Sequence, residues 1–333
     1  MSDSTGAVRI SCIVPAFNEA ENLPALLAAL KAQLDALTTQ WEIVLVDDGS
    51  RDATRQVLAA YADWPGLVVL HLSRNFGKEA ALSAGLDFAR GEAVFLLDAD
   101  LQHPVAMMPV MLDAWRAGAQ MVYLVRANRD DEPWWKRVGS LTLYRLINYG
   151  AVVQVPADAS DFRLLDAKVV AALRQLPERN RFMKGLYAWV GFRTQALPYT
   201  PDPRLHGQSS FSGRRLLGLA LTGLTAFSNM PLRLWSVFGS VLALISLGYG
   251  AYVTLAYFLE QRPVAGWTTI VAGMMLFGGI QLISIGILGE YLGRVYDEVK
   301  QRPRYLLDEV QDNSPFQPDR PDAPRAETQG DRV

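Results

Sequence analysis

The sequence predicts an α/β protein: a doubly wound, mostly parallel sheet followed by two hydrophobic helices that cross a membrane as a hairpin. In the first part of the chain, short runs of Val, Ile and Leu alternate with longer segments of helical periodicity. Such runs are typical of parallel strands that are buried on both faces and joined by helices. Further along stand two uncharged stretches, each long enough for a helix to cross about 30 Å of hydrocarbon.

The α/β region contains five predicted strands and four predicted helices. The strands are residues 8–14, 42–46, 68–72, 93–97 and 121–125. The helices between them are residues 23–37, 53–62, 79–89 and 104–117. Open sheets of this kind bind ligands beyond the carboxyl ends of their strands, and the polar clusters of the sequence fall at those ends.

The two uncharged stretches, residues 235–259 and 267–289, contain no Asp, Glu, Lys or Arg. Each begins with Trp, which is typical of a residue that anchors a helix at the membrane interface. Buried core helices of a soluble protein are the alternative, but two in direct succession around a short loop are rare in soluble folds. Basic residues precede the first stretch and follow the second, whereas the loop between them carries only Arg262. The positive-inside rule therefore predicts that both termini are cytoplasmic.

Composition argues against two other classes of protein. The 32 basic and 34 acidic residues give a net charge of −2, whereas a nucleic-acid binder presents a strongly basic face. The single cysteine, Cys12, cannot form an internal disulfide, so the sequence carries no sign of a disulfide-stabilised secreted domain.

Residues 1–7 are polar and lack the basic and apolar regions of a signal peptide, which predicts that the first domain stays in the cytoplasm.

An acidic cluster, Asp-Ala-Asp-Leu-Gln at 98–102, follows the fourth predicted strand. In an extended segment, residues two apart project to the same side, so Asp98, Asp100 and Gln102 can present oxygen ligands in one direction. Ligands of this kind suit Mg²⁺ or Mn²⁺, which would neutralise charge on a departing diphosphate. A solvated acidic loop or a helix N-cap before Pro104 is the alternative, because a lone Asp-x-Asp triplet is common.

Two further clusters stand at strand ends. Asp47 and Asp48 close the second strand, and a carboxylate there could accept a hydrogen bond from a nucleobase N–H. The run Pro-Ala-Phe-Asn-Glu at 15–19 follows the first strand, where Phe17 could pack against a base or ribose and Glu19 could bind ribose hydroxyls. No Gly-x-Gly-x-x-Gly follows that strand, so the main sequence signature of a dinucleotide-binding oxidoreductase is missing there.

Taken in order, four motifs resemble glycosyltransferase family 2, of the GT-A fold: residues 15–19, 47–54, 73–79 and 98–104. Three more resemble its polyprenyl-phosphate branch: residues 161–165, 177–182 and 204–209. Within that branch the bactoprenol glucosyltransferases look most similar, and the dolichyl-phosphate mannose synthases are relatives. The resemblance extends from about residue 9 to about residue 305.

The resemblance implies an inverting, metal-dependent transfer of a sugar from a nucleotide sugar, UDP-glucose by preference, to a polyprenyl (undecaprenyl) phosphate at the cytoplasmic face of the inner membrane. It implies Mg²⁺ or Mn²⁺ on Asp98, Asp100 and Gln102. The residues that it places around the nucleotide are Pro15, Phe17, Glu19, Asp47, Asp98 and Ala99. Those that it places near donor or acceptor phosphate are Lys78, Arg126, Arg129, Arg163, Arg204 and Ser209.

Asp100 and Asp161 are the predicted catalytic residues. A phosphate monoester is largely a dianion near neutral pH, so a strong general base is less needed than for a sugar hydroxyl. Asp161 is therefore a candidate for a base or for a group that orients the acceptor, with a loop-capping Asp as the alternative.

One departure from the family pattern concerns the position after Gly-x-Ser, where relatives often have a basic residue and this chain has Ser210.

The expected organisation follows from these motifs. It comprises a flexible N-terminus (1–7), a GT-A catalytic domain (8–210), an amphipathic juxtamembrane helix (211–233), two transmembrane helices (234–292), a cytoplasmic segment (293–309) and a disordered tail (310–333). The juxtamembrane helix could equally be a core-facing helix. As a hypothesis, Gly289 and Gly293 at G-x-x-x-G spacing allow close helix packing and a homo-oligomer.

Alternative functions remain open at this point. The transferred sugar could be N-acetylhexosamine, aminoarabinose or mannose. A processive polysaccharide synthase shares the same core, but it usually has more spans and a Gln-x-x-Arg-Trp-type motif, which this sequence lacks. A non-enzymatic membrane protein with a nucleotide-binding fold would be expected to lose the paired acids, and Asp98 and Asp100 are both present.

Overall fold

The computed structural model describes residues 8–100, 104–126, 159–179, 181–199, 230–260 and 266–316 of the chain. The chain divides into two compact units. The first, an α/β unit, comprises Met1–Tyr144, Val153–Phe211 and Arg302–Val333. The second, a helical unit, comprises Arg145–Val152 and Ser212–Gln301.

The described part of the α/β unit is one mixed sheet with helices in its connections. The strands are β1 (Ile10–Ala16), β2 (Trp41–Asp47), β3 (Leu67–Leu72), β4 (Ala93–Leu96), β5 (Met121–Arg126), β6 (Ala159–Asp166), β7 (Thr194–Tyr199) and β8 (Leu307–Asp312). The helices are α1 (Leu23–Leu37), α2 (Thr54–Ala59), α3 (Lys78–Phe88), α4 (Met108–Arg116), α5 (Ala167–Gln175) and α6 (Met183–Trp189). The strand order is β7-β5-β6-β4-β1-β2-β3-β8.

The centre of the sheet explains why the first strands are so apolar. Strands β2, β3 and β4 are buried at every position, and helix α1 covers the sheet with leucines at helical spacing, among them Leu23, Leu27 and Leu34. Helix α3 lies so close to β1 that a Cβ added at Gly85 would clash with the Ile13 side chain. The sheet core is therefore packed on both faces, as the sequence predicted.

The structure confirms the predicted α/β sheet but corrects its strand directions. The sequence predicted a mostly parallel sheet, and the sheet is mixed. Strands β1 to β4 pair in parallel, and so do β5 and β7. Strand β6 is antiparallel to β4 and β5, and β8 is antiparallel to β3. The five predicted strands all exist, whereas β6, β7, β8, α5 and α6 lie in segments for which no element was predicted.

The prediction that residues 310–333 are disordered is wrong for the first of them, because Val310–Asp312 belong to β8. This strand forms a backbone ladder with β3, from Leu72 opposite Leu307 to Val68 opposite Asp312. Its polar side chains have partners as well: Arg55 contacts Asp308 at 2.8 Å and Glu309 at 2.7 Å. Polar composition suggested disorder, but pairing with an open sheet edge satisfies the backbone of this segment. Residues 317–333 lie outside the described residues.

The helical unit contains α7 (Met230–Glu260) and α8 (Trp267–Val299). Within the described residues, one stretch, Gly273–Val299, is long and apolar enough to cross a membrane, and Val237–Gly250 is a shorter apolar stretch. Large apolar side chains on both helices are exposed, including Leu244, Met275 and Leu282. One candidate span supports membrane association, while the two-span hairpin stays a prediction. Most of the predicted juxtamembrane helix, 211–229, lies outside the described residues.

Candidate active site

The register of the sheet brings the predicted motifs to one edge. Ala16 pairs with Asp47 at the ends of β1 and β2, and Ile13 pairs with Leu96 at the end of β4. Leu96 also lies opposite Arg163 of the antiparallel strand β6, so the residues that precede Arg163 extend past the same edge. The segments that follow β1, β2 and β4 therefore meet the beginning of β6 at the carboxyl edge of the parallel strands.

Lys78, the first residue of α3, connects two acids at this edge. Its Nζ lies 2.6 Å from Asp98 Oδ1 and 2.8 Å from Asp98 Oδ2. The same Nζ lies 2.6 Å from Asp161 Oδ2. On the other side of Asp161, Lys184 Nζ approaches Oδ1 at 3.2 Å and donates to the Ala159 carbonyl at 3.1 Å. These four residues form an alternating row of charges, which we call the edge cluster.

The edge cluster decides the charge state of Asp161. Burial alone raises the pKa of its carboxyl, but the ion pairs with Lys78 and Lys184 outweigh burial and hold the pKa well below its usual range. Asp161 is therefore ionised at neutral pH and accepts a proton poorly. Of the two roles predicted for Asp161, this environment favours the orientation of an acceptor over general-base catalysis.

Lys184 is a member of the cluster that the sequence analysis missed. It lies on α6, two positions after the motif at 177–182, and no strand end or acidic neighbour in the sequence draws attention to it. Only the fold of β6 against β4 brings Asp161 beside Asp98, and only the position of α6 brings Lys184 beside Asp161. The proximity of a lysine to the 177–182 motif was the only available signal.

The segments after β1 and β2 are joined by hydrogen bonds from backbone N–H groups to side-chain oxygens. The Asn18 N–H donates to Ser50 Oγ at 2.9 Å, and the Arg51 N–H donates to Asn18 Oδ1 at 2.8 Å. The Glu19 N–H donates to Thr54 Oγ1 at 3.0 Å. Phe17, at the tip, is 40% exposed, so its ring is available to a ligand. The structure thus brings together the two predicted nucleotide motifs.

Glu19 faces the acids that follow β4. Burial raises the pKa of its carboxyl, a hydrogen bond donated by Asn22 Nδ2 at 2.7 Å opposes that effect, and the negative charges of Asp100 and Asp98 raise the pKa further. Three predicted site residues therefore stand within electrostatic reach of one another. Mutual repulsion among these acids favours a bound cation.

Asp47 and Asp48 are both buried, and they hold different parts of the site. Asp47 Oδ2 lies 2.8 Å from His71 Nδ1, and Asp47 Oδ1 accepts from the Ser50 N–H at 3.0 Å. These hydrogen bonds lower the pKa of Asp47 against the opposite effect of its burial. Asp48 accepts from the Phe76 and Gly77 N–H groups at 2.7 and 2.8 Å and so holds the turn that precedes Lys78. A nucleobase contact by Asp47 stays a prediction.

Comparison with known proteins places this site in a family. The model of "Glycosyl transferase family 2" matches residues 11–173. The SfII prophage-derived bactoprenol glucosyl transferase of Shigella flexneri is 42% identical over 301 residues, which cover 90% of this chain and 97% of that protein. A prophage bactoprenol glucosyl transferase homolog of Escherichia coli K12 is 40% identical over 304 residues, covering 91% and 99%. The chain belongs to glycosyltransferase family 2.

Solved structures give a more distant match. The glucosyl-3-phosphoglycerate synthase of Mycobacterium tuberculosis, crystallised with Mn²⁺, UDP and phosphoglyceric acid, is 19% identical to this glycosyltransferase. The match covers 66% of this chain and 76% of that chain, with a TM-score of 0.47.

Not every residue predicted for the phosphates of this glycosyltransferase lies at the edge. Arg163 is 3% exposed and stands between the rings of Tyr123 and Tyr187, at 5.2 and 4.5 Å from their centres. These cation–π contacts hold the guanidinium inside the domain, and a phosphate contact by Arg163 stays a prediction. Arg126 is the last residue of β5. The other predicted residues, Gln102, Arg129, Arg204 and Ser209, lie outside the described part of the chain.

The residues of the edge fit a divalent cation that is shared with a substrate. Among the described residues, no group of three His, Cys, Asp or Glu side chains forms a complete metal site. Mg²⁺ is commonly held by one or two carboxylates plus substrate phosphates, and Asp98 and Asp100 would supply those carboxylates. The carboxylates of Glu19, Asp98, Asp100 and Asp161 also outnumber the ammonium groups of Lys78 and Lys184. The excess negative charge suits a cation that arrives with a nucleotide.

Proposed function

We propose that this glycosyltransferase moves a sugar, glucose from UDP-glucose, with inversion to the phosphate of a polyprenyl (undecaprenyl) phosphate. The reaction takes place at the cytoplasmic face of the inner membrane and gives a polyprenyl-phosphate sugar for the modification of cell-envelope glycans. The edge cluster carries the proposal, because it places acids and lysines together at the ligand-binding edge of the sheet. Relatives that cover 90% of the chain are named bactoprenol glucosyl transferases, which supports both the sugar and the lipid.

The donor binds across the ends of β1, β2 and β4. Pro15, Phe17, Glu19 and Asp47, with Ala99, surround the nucleoside, and the exposed Phe17 ring offers a surface for stacking. Asp98, Asp100 and Gln102 would hold the Mg²⁺ or Mn²⁺ that accompanies the donor diphosphate. When bound, the ion neutralises the charge that develops on the leaving diphosphate.

The acceptor phosphate approaches from the side of Asp161. Lys184 supplies a positive charge there, and the lysine ammonium is a common phosphate binder. Lys78, on the other side of Asp161, faces Asp98 and the donor diphosphate. The phosphate is already largely a dianion near pH 7, so its oxygen can attack the anomeric carbon without a strong base. Asp161, kept ionised, positions the two lysines and thereby the nucleophile. Arg126, Arg129, Arg204 and Ser209 are the further candidates for phosphate contacts.

The helical unit anchors the enzyme where its lipid substrate lies. The apolar stretch Gly273–Val299 and the exposed apolar side chains on α7 and α8 support insertion into a bilayer. In this proposal both helices cross the membrane and both termini are cytoplasmic. Among the described residues, none lies within 4 Å of a Cβ added at Gly289 or Gly293, which supports the proposal that helices of a second copy pack there in a homo-oligomer.

One assay tests the proposal directly. Membranes that contain the full-length chain are incubated with radiolabelled UDP-glucose and, in parallel, with nucleotide-activated N-acetylhexosamine, aminoarabinose and mannose, and the lipid fraction is extracted. We expect one labelled sugar on a polyprenyl phosphate, formed from UDP-glucose and lost on chelation of divalent ions. A polymeric product would instead indicate a polysaccharide synthase, and donor binding without any labelled lipid would indicate a binding protein.

A further inference from the structure

The predicted metal ligand Asp98 already has a cation beside it. Lys78 Nζ lies within 2.8 Å of both carboxylate oxygens of Asp98 and 2.6 Å from Asp161 Oδ2. An ammonium in this position bridges two carboxylates, as a divalent ion would. Any ion that binds Asp98 must therefore share these oxygens with Lys78 or displace it.

The main chain at Lys78 is fixed, whereas its side chain can move. Asp48 holds the backbone just before Lys78 through the N–H groups of Phe76 and Gly77, and Gly77 has a φ of 98°, which favours glycine. The Lys78 side chain is 41% exposed, and those of Asp98 and Asp161 are 25% and 34% exposed. A long, flexible side chain on a fixed Cα can leave Asp98 without any change in the fold.

We propose that Lys78 is an internal counter-ion that competes with the divalent ion for Asp98. Without ligands, Lys78 neutralises Asp98 and Asp161 and keeps metal affinity low. The diphosphate of the donor offers Lys78 another anionic partner, so that Asp98 becomes free for the ion that enters with the nucleotide. The inference rests on the proposed function, because it takes Asp98 as the metal ligand. It adds that metal and nucleotide bind cooperatively through one lysine.

The test measures Mn²⁺ binding, with no nucleotide and no turnover. The full-length chain is purified in detergent, and free Mn²⁺ is followed by electron paramagnetic resonance during titration. We expect Lys78→Met to bind Mn²⁺ roughly tenfold more tightly than wild type, a change that corresponds to about 1.4 kcal/mol. Lys78→Arg keeps the charge and should stay within about twofold of wild type. Lys168→Met removes one exposed charge at the opposite end of β6 and serves as the matched control.

Two further arms separate the possible failures. Asp98→Asn should abolish Mn²⁺ binding, and UDP should raise the Mn²⁺ affinity of wild type more than that of Lys78→Met. If Asp98→Asn abolishes binding while Lys78→Met binds no better than wild type, competition by Lys78 is wrong and the metal assignment stands. If no variant binds Mn²⁺, with or without UDP, the metal assignment and the competition are both wrong.

Discussion

Lys78 Nζ lies 2.6 Å from Asp98 Oδ1, which joins the start of helix α3 to the residues that follow strand β4. Since Lys78 also reaches Asp161 of β6, which lies 83 residues further along the chain, one side chain connects three elements. The edge cluster is therefore held together by charge before any ligand arrives. Because each charge of the edge cluster contacts its neighbours, the removal of one charge should change the interactions of the others. Single substitutions can therefore test the site.

The paired acids after β4 should be essential for transfer. Asp98→Asn and Asp100→Asn each remove a negative charge that would hold the metal against the diphosphate, and we expect the rate of lipid glycosylation to fall on the order of a hundredfold or more. The melting temperature should change little. The control is Asp113→Asn, an acid-to-amide change on α4 at a side chain that is 73% exposed. Normal turnover in either site variant would remove the metal assignment.

Lys184 should affect the acceptor more than the donor. Its Nζ lies 3.2 Å from Asp161 on the side away from Lys78, where the acceptor phosphate is proposed to bind. In Lys184→Met we expect the KM for polyprenyl phosphate to rise roughly tenfold, the loss of about 1.4 kcal/mol of binding, while the KM for the nucleotide sugar stays near wild type. Initial rates with each substrate varied in turn would show this, and an increase confined to the donor KM would contradict it.

His71 should support the nucleotide pocket from inside the sheet. His71 and Asp47 are both buried, and their side chains meet at 2.8 Å. His71→Leu leaves the Asp47 carboxylate without this partner, which should cost about 1–3 kcal/mol of stability and lower the melting temperature by several degrees. His71→Gln keeps a donor and should recover part of the loss in both stability and donor KM. Equal effects of the two substitutions would show that only packing matters.

Glu79 should make stability depend on pH. Burial raises the pKa of its carboxyl to about 7, although the Met183 N–H donates to the carboxylate at 3.1 Å. Because this pKa is raised in the folded state, the folded protein favours neutral Glu79, and that contribution is lost as pH rises towards about 7. The usual pKa of Glu is about 4.5. From about that pH to about pH 7, the melting temperature of wild type should fall relative to that of Glu79→Gln. Parallel melting curves across that range would contradict the assignment.

Strand β8 should be needed for a stable α/β unit. A chain that ends at Leu306 would lose the ladder with β3 and the ion pairs of Arg55 and Arg90 with this segment, and it would expose an open sheet edge. We expect a lower melting temperature and aggregation on size-exclusion chromatography. A chain that ends at Phe316 keeps the described contacts of β8 and is the control. A monodisperse, equally stable shorter chain would show that the strand is dispensable.

The sequence predicted the centre of the sheet better than its edges. Strands β1 to β4 were predictable because burial on both faces requires continuous apolar runs, and the acids that follow them stand out by contrast. Strand β8 was not predictable, since an edge strand with solvent on its side chains has the composition of a disordered tail. Lys78 and Asp161 are 83 residues apart, and only the antiparallel placement of β6 brings them together.

The same limit applies to single residues. Arg163 matched a family motif, but the motif could not show that the guanidinium lies against the rings of Tyr123 and Tyr187. Asp48 was grouped with Asp47 as one acidic pair, and the structure separates them into a partner of His71 and a support for the turn at Gly77. Residue types are visible in a sequence, whereas side-chain direction depends on packing.

The position of β8 in the chain sets the order in which this enzyme can be completed during synthesis. Strand β8 follows both long hydrophobic helices, so a ribosome must make α7 and α8 before the partner of β3 exists. Until then the nascent sheet keeps an unpaired edge, the kind of surface that chaperones protect. A catalytic unit with all of its strands therefore forms only in a chain whose hydrophobic helices have already left the ribosome.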